Sequence, residues 1–316
     1  MTEVSVVIPA HRAAATLGAT LAALERQRGG VEFEVIVSLD GADPEAEGEA
    51  ERSGLDVRIV CSPEPEPSGA GGARNRGAAA AGGRILAFTD ADCEPAPDWL
   101  AGARSCLAGL DLVQGAVMPP PGAELRPFDR TLFVTRETGL YETANLLVRR
   151  ELFERLGGFE DWIPSGGRPM GEDVWFGWRA RRAGARTGFC PGAVVHHGVF
   201  PRTAGEYVLE QRRLAFFPQM ARRIPELRAE TFYRRYFLSP RTAAFDLAVA
   251  GAVTAAARRS VVPLLAAAPY LGMLARAGMA PRSLGAAKVG LASVAADIVG
   301  LAALLRGSVA ARRPLI

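Results

Sequence analysis

The run Ile85-Leu86-Ala87-Phe88 is apolar at every position and ends, through Thr89, on two acids one residue apart, Asp90 and Asp92. A strand that is apolar on both faces must be covered on both, which is the habit of parallel sheets flanked by helices. Side chains alternate along a strand, so Asp90 and Asp92 leave its carboxyl end on the same side. Two carboxylates that close repel each other and resist a dry site unless a cation lies beside them. The pair therefore asks for a bound metal.

The rest of the amino-terminal half repeats this strand pattern. Val4 to Ile8 is stopped by Pro9, Phe33 to Leu39 ends in Asp40-Gly41, and Val57 to Cys61 precedes a Pro-rich loop. Segments with helical spacing, Thr16 to Gln27 and Gly72 to Ala81, separate them. Such alternation predicts a largely parallel sheet with helices on both faces, and in those sheets ligands bind beyond the carboxyl ends of the strands. Asp40, Asp90 and Asp92 all lie at such ends. Past residue 110 the alternation weakens: Leu112 to Met118 and Ala144 to Val148 read as strands, and a short helix starts at Arg150. Pro119 to Pro127 and Pro164 to Gly171 read as loops, the second made mobile by its Gly and Pro content. Glu172-Asp173 opens a helix reaching Ala183, where the helix dipole favours acids. Ala193-Val194-Val195 is strand-like and runs into His196-His197.

With 316 residues, 49% of them hydrophobic, the chain can bury a large core. The four cysteines, Cys61, Cys93, Cys106 and Cys190, show no paired zinc or redox spacing, so free thiols in a reducing compartment are expected. The start Met1-Thr2-Glu3-Val4 has no basic segment leading into an apolar one, so no signal peptide is expected and the amino-terminal domain is read as cytoplasmic.

Charge is unevenly spread: residues 1 to 200 hold 20 basic and 28 acidic side chains and residues 201 to 316 hold 17 and 6, giving −8 and +11. A basic tail of this kind meets phosphate, in nucleic acid or in an anionic lipid surface. Few aromatics and abundant alanine offer no stacking platform, which argues against nucleic acid. The longest uncharged apolar run there, Ser260 to Ala275, has 16 residues, about 24 Å as a helix against a hydrocarbon core of about 30 Å. Helices this short, flanked by arginines, suit an interfacial seat on anionic lipid, or a docked hairpin, better than a span.

Seven segments taken together resemble a family 2 glycosyltransferase of the GT-A fold over residues 4 to 215. They are Ser5-Val6-Val7-Ile8-Pro9-Ala10, Ser38-Leu39-Asp40-Gly41, Gly71-Gly72-Ala73-Arg74-Asn75-Arg76-Gly77, Asp90-Ala91-Asp92, Ala144-Asn145-Leu146-Leu147-Val148-Arg149, Gly157-Gly158-Phe159 and Gly171-Glu172-Asp173. The resemblance implies an α/β, Rossmann-like, mostly parallel sheet as a catalytic domain over residues 1–240, followed by an apolar helical appendage over 241–316. It also implies inverting transfer of a hexosyl group from a nucleoside diphosphate to an acceptor hydroxyl.

Residue by residue, the resemblance makes Asp92 the metal ligand and gives Asp90 the ribose hydroxyls or a metal-bound water. Asp40 would accept from an imide nitrogen of the base, which favours UDP or dTDP donors, with Pro9, Ala10 and Ala91 beside it. Arg74 would meet the diphosphate. Asp173 would be the general base and Glu172 would orient it or cap the helix. His197, aligned better than His196, would complete the metal shell, and an imidazole ligand favours Mn2+ over Mg2+. The acceptor is read as lipid-linked or membrane-held, placing the enzyme on the inner face of the plasma membrane in cell-envelope or glycoconjugate synthesis. The competing reading is a binding or scaffold protein that keeps the fold without turnover. Nucleotidyl transfer is disfavoured, since Lys288 is the only lysine and no Lys-rich phosphate loop exists.

Overall fold

A computed structural model describes residues 2–62, 67–165, 168–278 and 285–316. The chain forms two compact units, residues 1–125 with 130–200, and residues 126–129 with 201–316.

In the first unit the amino-terminal strands are β1 (Val4–Ala10), β2 (Phe33–Leu39), β3 (Val57–Cys61) and β4 (Ile85–Phe88), with helices α1 (Ala14–Glu25), α2 (Pro44–Arg52) and α3 (Gly69–Ala80) between them. There follow β5 (Cys93–Pro95), α4 (Trp99–Leu107), β6 (Leu112–Met118), β7 (Leu146–Arg149), α5 (Arg150–Arg155), β8 (Ile163–Ser165), β9 (Arg168–Met170), α6 (Glu172–Arg182) and β10 (Thr187–His197). Eight strands make one sheet in the order β3-β2-β1-β4-β7-β6-β10-β5. β1, β2, β3 and β4 pair in parallel, as do β6 and β10, while β7 and β5 run against their neighbours.

The central strands are apolar because both faces are covered: Val6, Val7, Ile8, Leu86, Ala87 and Phe88 are all fully enclosed. Helix α1 contributes Leu17, Leu21 and Leu24 to one face, and full burial of each aliphatic side chain stabilises by about 1.5–3 kcal/mol. A close-packed polar residue ties the second half of the sheet. Asn145 accepts from Trp99 Nε1 at 2.8 Å and donates to the carbonyls of Ala116 and Ala193, both at 2.8 Å. Gly115 leaves the room for it, since a side chain there would collide with the Asn145 amide.

Two expectations need correcting. Cys106 and Cys190 are disulfide-bonded across 84 residues of sequence, whereas Cys61 and Cys93 are free. The bond forms because α4 packs on β10 and brings the two residues' Cα atoms to 6.1 Å; spacing in sequence carries no trace of that contact. The stretch from Pro164 to Gly171 is also not purely loop, because β8 and β9 pair within it, Ile163 opposite Met170.

The second unit is helical: α7 (Ala204–Glu210), α8 (Phe217–Arg223), α9 (Leu227–Glu230), α10 (Pro240–Arg258), α11 (Ala268–Gly278) and α12 (Gly285–Ala311). Capping boxes start two of them, Thr203 with Glu206 and Ser239 with Thr242. Although the longest uncharged run is too short to span, α12 carries Asp297 within it, runs for 27 residues and is long and apolar enough, by length and composition, to cross a membrane. Asp297 is tolerated because Arg241 donates to it from Nη2 at 2.7 Å and Tyr270 from its hydroxyl at 2.6 Å.

Candidate functional site

A cavity of about 920 Å³ opens beyond the carboxyl ends of β1, β2 and β4, and its walls include Pro9, Ala10, Asp40, Arg74, Asp90, Ala91 and Asp92. The position follows from the topology. Parallel strands all present their carboxyl ends, and the loops that follow them, to the same side.

Asp40 is buried at the end of β2. Its Oδ1 accepts from Ser68 N at 2.9 Å, Ser68 Oγ at 2.8 Å and Arg76 at 3.1 Å, and its Oδ2 from Gly69 N at 2.8 Å. Burial alone would raise its pKa, but the Ser68, Arg76 and Gly69 hydrogen bonds outweigh it and hold the carboxyl below its usual range. Asp40 thus clamps the start of α3. Beside it, His11 donates from Nδ1 to the Asp40 carbonyl at 2.7 Å. A carbonyl only accepts, so this bond assigns the proton to Nδ1 and leaves Nε2 an acceptor in the neutral ring.

Arg74 is buried between two acids. Its Nη2 donates to Asp90 Oδ1 at 2.7 Å and its Nη1 to Glu172 Oε1 at 3.1 Å. Burial penalises the charge, but Asp90 and Glu172 over-compensate and raise the guanidinium pKa. Nε is buried and has no partner among the described residues. The start of α6 is held by the segment before it. Asn75 and Phe159 bond reciprocally, Nδ2 to the Phe159 carbonyl at 2.8 Å and Phe159 N to Oδ1 at 2.9 Å. Phe159 in turn packs edge-on against Phe88 and touches Phe153 and Phe176. Gly157 and Gly158, at φ +75° and +71°, make the turn into this cluster.

Asp173, in the first turn of α6, therefore stands near Arg74 and not on a remote surface. Burial first and the Glu172 charge second push its carboxyl well above the usual carboxylate range, opposed in part by Arg74. Glu142, missed by the sequence reading, adds its charge to Asp173. Its own carboxyl is raised by burial, and its Oε2 lacks a partner among the described residues.

On the other side of Asp90, Asp92 is raised by burial and by the Asp90 charge, and lowered by His197 and Arg130. β5 pairs with β10 so that Cys93 lies opposite His197. One ligand atom each of Asp92, Cys93 and His197 falls within 4.8 Å of the others, with His197 Nε2 3.8 Å from Asp92 Oδ2. His197 Nδ1 donates to the Gly198 carbonyl at 2.8 Å, so Nε2 carries the lone pair that a metal needs. His196 faces the other way along β10, with its Nδ1 at 3.2 Å from the Pro119 carbonyl. Carboxylate and imidazole suit a divalent ion. Burial and the two acids push the Cys93 thiol well above its usual range. Arg130 and Phe200 also line this end, the guanidinium 5.3 Å above the ring. They come from irregular segments with no motif, so no sequence signal marks them.

Residues 5–153 match the model of the glycosyl transferase family 2. The chain is also 31% identical over 228 residues to glycosyltransferase AglE of Haloferax volcanii, covering 67% of this chain and 71% of that protein. The chain belongs to glycosyl transferase family 2. It is a glycosyltransferase, as the motifs led one to expect. Among solved structures it resembles the mannosyltransferase PcManGT from Pyrobaculum calidifontis in complex with GDP-Man and Mn2+, at TM-score 0.60 and 22% identity over 96% of this chain and 86% of that one. It resembles S. aureus TarS 1-349 in complex with UDP-GlcNAc at TM-score 0.51 and 19% identity, over 69% of this chain and 66% of that one. The chain spans 40% of the chain in another TarS structure. At these identities the likeness is one of fold, and the fold is the expected GT-A one.

Proposed function

We propose that this family member is an inverting hexosyltransferase that uses a nucleoside-diphosphate sugar, UDP or dTDP type favoured, with Asp173 as general base. The observation that carries the reading is the bridge through Arg74. It joins Asp90, on the donor cavity, to Glu172, the neighbour of Asp173, so the acid proposed to take the acceptor proton adjoins the acids proposed to hold the donor.

In this mechanism Pro9, Ala10 and Ala91 line the pocket for the nucleoside, and Asp40 shapes it by fixing Ser68 and Gly69. Arg74, in the cavity wall, offers its positive charge to the diphosphate. Asp173 accepts the acceptor's hydroxyl proton as that oxygen attacks the anomeric carbon from the face opposite the leaving group; its raised pKa makes it a stronger base than an ordinary carboxylate. Glu172 holds Arg74 in place. Asp92 and His197, with Asp90 beside them, are the residues that would hold a divalent ion, Mn2+ favoured over Mg2+. Such an ion would stabilise the growing negative charge on the departing diphosphate. The structures solved with Mn2+ and GDP-Man or with UDP-GlcNAc support a metal-assisted, nucleotide-sugar chemistry in this fold.

We further propose that residues 1–240 act as the catalytic domain and 241–316 as an appendage that keeps it at the inner face of the plasma membrane, near a lipid-linked acceptor. The nine basic and two acidic side chains of residues 241 to 316 support this.

The test is a panel of UDP-, dTDP- and GDP-sugars, assayed for hydrolysis and thermal protection with Mn2+, Mg2+ or chelator. Metal-dependent turnover of one donor, lost in Asp92→Asn and Asp173→Asn, is expected. Donor binding without turnover in the parent protein would establish the scaffold reading instead.

A further inference from the structure

We propose that the outward face of α12 is a docking surface for an anionic lipid bilayer, on which the helix lies flat. The proposal deepens the membrane reading above by naming the surface and the lipid chemistry, and it is independent of the catalytic reading.

Leu291, Ile298, Leu305 and Val309 are 73%, 55%, 49% and 79% exposed. They are spaced seven, seven and four residues apart, so they fall on one helix face and make an apolar stripe about 27 Å long at about 1.5 Å per residue. The opposite face is consumed by the chain itself, with Ala292, Ala296, Gly300, Ala303, Leu304 and Gly307 buried. Gly300 lies against Leu214, and Gly307 lies so close to the Ala215 backbone that no side chain would fit. Exposed apolar stripes of this length on a folded protein mark a surface that something covers.

Charge selects the cover. Residues 241 to 316 contain nine basic and two acidic side chains. Of the two acids, Asp297 is turned inward onto Arg241 and Tyr270, and Asp246 is half-buried. The charges flanking the stripe, Lys288, Arg306, Arg312 and Arg313, are exposed and all positive. Apolar side chains flanked along their own helix by cations match the junction of acyl chains and anionic headgroups, where each basic residue near the surface contributes about 1 kcal/mol. A second copy of this chain would instead bring cations against cations.

Packing selects lying over spanning. A membrane-crossing helix meets hydrocarbon around its circumference, whereas α12 rests on α7 and on the turn over residues 211–216. Those segments carry Glu206, Glu210, Arg212 and Arg213, which do not enter hydrocarbon.

The experiment is vesicle flotation of the full chain with phosphatidylcholine alone and with about 30 mol% phosphatidylglycerol, at low and high salt. Binding to the anionic vesicles should exceed binding to the neutral ones at least about tenfold and weaken with salt. Ile298→Asp/Leu305→Asp should lose it, and Lys288→Glu/Arg306→Glu should weaken it and remove its salt dependence, while both variants hydrolyse donor at the parent's rate. Undiminished flotation of both variants, or equal binding to both vesicles, overturns the proposal. So does a dimer in light scattering that Ile298→Asp/Leu305→Asp dissociates, which assigns the stripe to a second copy. Retention of the protein in membranes after alkaline carbonate extraction also overturns it, in favour of a span. Absent donor hydrolysis in parent and variants alike, with flotation as expected, would remove the catalytic reading and leave this one standing.

Discussion

Arg74 reaches Asp90 at 2.7 Å from inside the protein, with 5% of its own side chain and 30% of its partner's exposed to solvent. One buried cation thus sets the position of an acid on the cavity wall, and through its second nitrogen it sets Glu172 as well. Removing it would leave two carboxylates facing each other with no counter-charge. Arg74→Ala should therefore destabilise by about 3 kcal/mol, the low end for a broken buried pair because Asp90 is partly solvated. Thermal unfolding checks this, and Arg74→Lys should recover part of the loss.

Asp173→Asn should lower kcat by about 10²- to 10⁴-fold, the range for removing a general base, while nucleotide binding measured by calorimetry stays close to the parent's. The same change should stabilise the protein at alkaline pH. A carboxyl whose folded pKa is raised, as burial and Glu172 raise that of Asp173, favours the native state below its unfolded pKa and loses that contribution as pH rises through the folded one. The parent's melting temperature should fall over that window, and the asparagine variant's should fall less. In kcat/KM the acid limb should lie above the usual carboxylate range and vanish in the variant. Parallel melting curves for the two proteins between mildly acidic and alkaline pH would contradict the assignment.

His197→Ala should weaken Mn2+ binding at least about tenfold, the scale for disturbing a metal site's ligand geometry. His196→Ala, with its ring turned to Pro119, should leave it within about twofold. Paramagnetic titration with Mn2+ reads both. Chelation should abolish turnover of the parent, and added Mn2+ should restore it.

Reduction of Cys106–Cys190 should cost about 2–4 kcal/mol, the usual contribution of a native disulfide. Thiol titration of the unfolded chain should rise from two to four on reduction, given the two free cysteines and one disulfide. The melting temperature should fall in the same samples, and Cys106→Ser should show the same fall without added reductant.

Much of the fold was legible in one dimension because its information is local. The apolar run at Ile85 to Phe88 announced a strand buried on both faces, and the strand-helix alternation through Ala81 announced a parallel sheet; the structure has both. Turn chemistry such as Gly157-Gly158 and the acids opening α6 were equally local. The strands β5, β8 and β9, three residues each, are too short for a period to rise above their surroundings.

The sequence by itself determined the sheet, its covered faces, the family and the surplus of positive charge in the tail, since composition, period and short motifs write these into neighbouring residues. Tertiary structure alone decided which side chains meet. It turned the His196 ring to Pro119, put Arg74 between acids 16 and 98 residues away, and added Glu142 and Arg130. It also joined Cys106 to Cys190 and turned Asp297 inward so that α12 presents only cations and aliphatic carbon outward. Such pairings arise where strands cross over and helices pack, and the distance between two residues along a chain says nothing of the distance across a folded core.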